Sequence, residues 1–144
     1  MKTRFFIALV TLGAAMLWFT VALQGQMAPR PLLRVEVPFE FVAGGVNLPA
    51  GEYDVLHVMN PGTIMLRNRN GHGLAVVHVF VSPTTTGKSS TKLVFNRYGE
   101  KYFLSQVWTE QDNEVHDCFK SSAELTLARS SRKLPEVATI YAKP

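Results

Sequence analysis

The chain has 144 residues, one cysteine, fifteen basic and eleven acidic side chains and a formal net charge of +4, the size of one domain able to bury a core. A lone thiol excludes an internal disulfide. The Lys and Arg residues are scattered, with at most two adjacent at Arg132 and Lys133, which argues against a phosphate-tracking surface and against nucleic acid as a partner.

Lys2 and Arg4 precede Phe5 to Leu23, a run without charge. That order predicts an export signal over residues 1–25, followed by a single β-rich domain over residues 26–144. Small residues near a cleavage site are found only approximately, as Thr20 with Ala22 or Leu23 with Gly25. At about 1.5 Å per residue the run spans roughly 28 Å, so an uncleaved inner-membrane anchor through residues 5–23 is the alternative. The expected destination is the periplasm or the cell exterior. Cys118 lies too far downstream to serve as a lipid-attachment cysteine. Removal of Lys2 and Arg4 would leave thirteen basic residues against eleven acidic ones.

Beyond the signal the dominant period is two. Val35, Val37, Phe39 and Phe41 alternate with Glu36, Pro38 and Glu40, the pattern of a half-buried strand, and Pro38 marks an exposed edge because it has no N–H to donate. Gly44-Gly45 turns the chain into a short extended piece, Val46 to Leu48. Pro49-Ala50-Gly51 turns it again into a strand from Glu52 to Met59. Asn60-Pro61-Gly62 predicts a tight turn, Thr63 to Arg69 a strand, and Asn70-Gly71 a hairpin. Leu74 to Val81 is apolar on both faces, which predicts a central strand covered on both sides. Ser82 to Ser90 reads as a polar loop. Lys92 to Tyr98 and Lys101 to Thr109 form a hairpin around Gly99-Glu100. Glu110 to Glu114 is acidic and polar, and His116 and Cys118 read as part of the same acidic loop. Ser121 or Ser122 caps a short helix to about Ser130 with Leu125, Ala128 and Arg129 on one side, and Val137 to Ala142 closes the fold as a strand. Turn signals every 8 to 12 residues imply a mainly β fold, an antiparallel meander forming a small sandwich or partly open barrel with one C-terminal helix.

The segments "VPFEFVAGG", "LPAGEYDV", "KLVFNRYGEKYFLSQVW" and Ala123 to Arg129 resemble a group of small exported bacterial proteins of unknown function. The resemblance covers most of the mature chain and implies an exported, mainly β domain. It implies no activity and no catalytic residue.

The candidate chemistry is thin. Gly87-Lys88-Ser89 matches the tail of a phosphate-binding loop, but Ser82 stands where its first glycine belongs, and a strand rather than a helix follows. His57 and His78 are expected on strands two steps apart, roughly 9.5 Å, too far for one metal ion. His72 falls in a turn. His116, Asp117 and Cys118 are close in sequence and would need a bend to share a ligand. A nucleophilic Cys118 would need a base and an oxyanion pocket, and its acidic neighbours Glu114 and Asp117 work against a thiolate. Asp112 and Glu114 read as solvated loop carboxylates. No catalytic, metal or cofactor-binding residue is therefore assigned, and no cofactor is expected. The aromatics Phe39, Phe41, Tyr53, Phe80, Phe95, Tyr98, Tyr102, Phe103 and Trp108 are expected mostly in the core, with some free to line a groove if the sheet closes only partly. Two functional classes follow: a non-enzymatic module binding an apolar ligand, an envelope polymer or a protein, or a hydrolase or metal-dependent enzyme with a site assembled near His116 and Cys118.

Overall fold

The computed structural model describes residues 31–58, 61–70, 73–83, 90–110 and 114–142. The alternation at the start of this span builds β1 (Leu33–Val37), with Leu33, Val35 and Val37 buried and Arg34 and Glu36 exposed. The expected longer strand is interrupted: Pro38 to Glu40 separate β1 from β2 (Phe41–Ala43), where the missing Pro38 N–H removes a ladder donor. Then come β3 (Val46–Leu48), β4 (Gly51–His57), β5 (Thr63–Asn68), β6 (Gly73–Pro83), β7 (Lys92–Tyr98), β8 (Lys101–Thr109), β9 (Glu114–Cys118), α1 (Ser122–Ser130) and β10 (Glu136–Tyr141). Glu114 to Cys118 is thus a strand and not loop, and β6 carries Ser82 and Pro83 beyond the expected end.

The strands form one mostly antiparallel sheet that does not close. Its path runs β1-β4-β5-β6-β9-β8, and β8 also pairs with β7, which pairs with β10. The local meanders are β4-β5-β6 and β7-β8-β9, and they join through β6 and β9. The β2-β3 hairpin lies beside the first half of β8, with β2 parallel to it through Phe41–Tyr102 and Val42–Phe103. At the far ends of the path, β1 and β10 come within 8 Å of each other, Cα to Cα. No strand ladder joins them among the described residues, so a seam remains.

One face of this curled sheet holds the core. Val35, Val55, Ile64, Leu66, Val77, Leu93, Phe95 and Val107 pack there, each full burial contributing about 1.5–3 kcal/mol before entropy is set against it. Phe41 meets Tyr53 and Phe95 edge to face, both at 5.3 Å between centroids, and Phe39 stacks on Tyr102 at 3.9 Å. The Tyr53 hydroxyl donates to the Pro49 carbonyl at 2.6 Å, which ties the Pro49-Ala50-Gly51 turn to the core. Similarly, Arg97 Nε donates to the Gly99 carbonyl at 2.7 Å across the β7-β8 turn, where Gly99 has φ +63°. These contacts explain the "LPAGEY" and "RYGEKY" stretches as structural rather than chemical motifs.

Two expectations fail on the outer face. β6 is central in the sheet, but only its inner side is covered; Val76 and Phe80 are each 50 % exposed. Trp108 and Tyr98 are only half-buried, so they are not core residues.

Candidate functional site

Helix α1 begins at Ser121, whose backbone is extended and whose hydroxyl accepts from the Glu124 N–H at 3.2 Å. This satisfies one of the donors a helix start leaves unpaired. The side of the helix carrying Leu125, Ala128 and Arg129 is not its buried one: Leu125 is 40 % exposed while Glu124 is buried. The reason is a polar contact: Asn96 Nδ2 on β7 donates to Glu124 Oε1 at 2.8 Å, and a carboxylate in the first turn also suits the helix dipole. Burial first, and then the Glu124 charge, raise the pKa of the Tyr98 hydroxyl. Glu124 therefore pins α1 onto the outer side of β7 and β8.

Pinning the helix there leaves a groove of about 690 Å³ between α1 and the β2-β8 pair. Ala123, Thr126 and Leu127, spaced i, i+3 and i+4, supply the helix wall, and Val42, Tyr102 and Phe103 the opposite one. Glu40, Asn47, Glu100 and Lys101 bring polar groups to it. The walls are firm. Tyr102 is held by the Phe39 stack and by the Arg97 guanidinium, 5.4 Å from its ring centroid, and Arg97 is itself paired with Glu100 and Glu136.

The residues singled out for chemistry lie elsewhere. His78 is exposed on β6, and His57 is exposed at the end of β4. His72, Asp112 and Gly87-Lys88-Ser89 fall outside the described residues, while Ser82 lies in β6 and donates to Asp117. His116 is wholly buried on β9, and its ring meets that of His57 edge to face, 5.2 Å between centroids. Sequence reasoning missed this contact because it treated the segment around His116 as loop. Asp117 bonds Ser82 and Gln106, whereas Cys118 packs into the core cluster. Among the described residues no three His, Cys, Asp or Glu side chains form a group able to hold a metal ion.

Burial, reinforced by Asp117 and Glu124, pushes the Cys118 thiol up to about 12, so it is protonated at neutral pH and a poor nucleophile. Stability from this group is fully present below the unfolded thiol's pKa, near 8.5, and is lost as pH rises from there toward about 12. Iodoacetamide at pH 8 is expected to leave Cys118 almost unmodified in the folded protein and to alkylate it readily in 6–8 M urea, roughly the range that unfolds small domains. Equal rates in the two conditions would contradict the burial.

Compared with known families, curated proteins and solved structures, the chain matches none of them. Among the described residues no helix is long and apolar enough to cross a membrane.

Proposed function

We propose that this is an exported, non-enzymatic binding domain, and that the groove between α1 and the β2-β8 pair holds a small apolar ligand or an apolar side chain of a larger one. The observation that carries this reading is the concavity itself: Val42, Tyr102, Phe103 and Leu127 line one groove to which Glu40, Asn47, Glu100 and Lys101 bring polar groups. Apolar walls with a few placed polar groups are what ligand sites are made of. The export part rests on Lys2 and Arg4 ahead of the uncharged run to Leu23, and the periplasm or the exterior is the proposed destination. The enzymatic alternative near His116 and Cys118 is disfavoured by a thiol held in its protonated form.

The neutral fluorophore N-phenyl-1-naphthylamine tests the groove. The protein is expected to enhance its emission saturably, and Leu127→Ser to weaken binding at least tenfold with little change in thermal midpoint, since Leu127 is only half-buried. Absence of saturable binding, or equal binding by the variant, would overturn the assignment.

A further inference from the structure

Residues 119–134, which hold α1 and its flanks, carry an uncompensated charge. The cations there are Lys120, Arg129, Arg132 and Lys133, all exposed, and the single acid is Glu124, buried against Asn96. The charge this segment shows to solvent is therefore entirely positive. The described arginines of the sheet are neutralised instead: Arg34 and Arg67 by Asp54, Arg69 by Glu52, and Arg97 by Glu100 and Glu136. Among the described residues no carboxylate pairs with any of the four cations of the segment. Arg129 in the last turn suits the negative end of α1, but Lys120 precedes the Ser121 N-cap, where a cation is unfavourable. Helix stability does not account for the set.

Bare apolar side chains stand among these cations. Leu134 is 92 % exposed and Phe119 61 %, and Leu125 is also open to solvent. With Glu124 toward the sheet and Ala123 and Leu127 toward the groove, a helix of 3.6 residues per turn puts Leu125 and Arg129 together on the side away from the groove. Each apolar side chain thus has a cation beside it: Lys120 next to Phe119, Arg129 one turn from Leu125, Lys133 next to Leu134.

That pairing selects the occupant. A soluble polyanion would answer the cations and leave the apolar side chains in water. A protein interface gathers its apolar side chains into a core depleted of charge, and here each of them has a cation as neighbour. The surface of an anionic bilayer takes both at once. Headgroup phosphates meet the ammonium and guanidinium groups, whose long stems keep them at headgroup level while their apolar neighbours enter the acyl boundary. From this charge complementarity we infer that residues 119–134 dock the domain on an anionic phospholipid surface, lying on it without spanning it, by a side of α1 distinct from the groove.

Fluorescence from one labelled position of the full chain tests the inference. Leu134→Cys carries the polarity-sensitive fluorophore NBD, while Cys118, being buried, stays unlabelled in the folded protein. Vesicles of equal parts phosphatidylglycerol and phosphatidylcholine, in about 0.05 M NaCl, are expected to raise and blue-shift the emission several-fold, and phosphatidylcholine alone to do so at least tenfold more weakly. Raising NaCl to about 0.5 M shortens the reach of the charges and should weaken the response to the anionic vesicles at least tenfold. Arg129→Gln/Arg132→Gln/Lys133→Gln in the labelled protein should do the same, with circular dichroism unchanged because all three side chains are exposed. The uncharged run to Leu23 is common to both proteins, so a difference between them belongs to this segment. Equal responses to the two lipids, or an equal response by the triple variant, would overturn the inference. So would binding of a soluble DNA duplex with no response of the label to the anionic vesicles, which would assign the cations to a soluble polyanion.

Discussion

Replacing Phe95 by alanine is expected to lower stability by about 3–5 kcal/mol, the usual cost of emptying a buried aromatic site. The ring is 0 % exposed and is clasped by Phe39 and Phe41, each edge to face at 5.3 Å between centroids. Those neighbours, Phe39 within the β1-β2 break and Phe41 at the start of β2, cannot both collapse into the space without moving the backbone, so the cavity term is retained. Against a total of about 5–15 kcal/mol for a typical domain, the loss is large enough to shift a urea midpoint strongly. Trp108→Ala serves as the control. That ring is half-buried on the outer face, and its removal is expected to cost about 1 kcal/mol. Equal losses from the two substitutions would show that the aromatic cluster is not the centre of the core.

The second large effect is at Gly44. Its φ is +57°, and a Cβ built there would lie 2.3 Å from the Val76 carbonyl oxygen on β6. Gly44→Ala must therefore bear the left-handed backbone and also push the β2-β3 hairpin away from β6. Backbone strain of about 1–3 kcal/mol and overpacking of similar size combine to an expected loss of about 2–6 kcal/mol by urea denaturation. Gly45 separates the two contributions: its φ is +84°, but nothing lies within 4 Å of its Cβ position. Gly45→Ala should show only the backbone part, about 1 kcal/mol. If Gly44→Ala were no worse than Gly45→Ala, the hairpin would not be seated against β6.

These two residues also mark how far the sequence could be read. Period-two alternation and turn residues located β4, β5, β7, β8 and β10, because one face of each had to be apolar and each turn needed Gly or Pro. The same rule misjudged β6. Val76 and Phe80 suggested a covered second face, yet they are exposed, since apolar residues are not obliged to be buried. β9 escaped notice for the opposite reason: Glu114, His116 and Asp117 are polar on both sides of the strand, which erases the alternation. The two glycines of the "VAGG" turn were legible as a bend, but the approach of Val76 was not, because nothing local to residue 44 encodes a strand thirty residues away. The groove is harder still. Its walls come from residues 40–47, 100–103 and 123–127, and they meet only because the Glu124–Asn96 contact sets the helix down where it does. A buried acid on a short helix carries no apolar signature.

The unpaired margin between β1 and β10 bears on how the chain folds. Early and late segments meet in the sheet at two places: β6 lies against β9, and β2 against β8. The buried cluster draws on both groups of strands, Val35, Val55 and Leu66 from the early ones and Leu93, Phe95 and Val107 from the late ones, so neither group buries its apolar face by itself. Ladders between distant segments close large loops before they bring any gain, so folding belongs at the slow, millisecond-to-second end for domains of this size. Unfolding should be all-or-none for the same reason. Release of β10 from its single ladder with β7 would uncover Leu93 and Phe95 at once, making the strand farthest along the chain a latch on the aromatic centre.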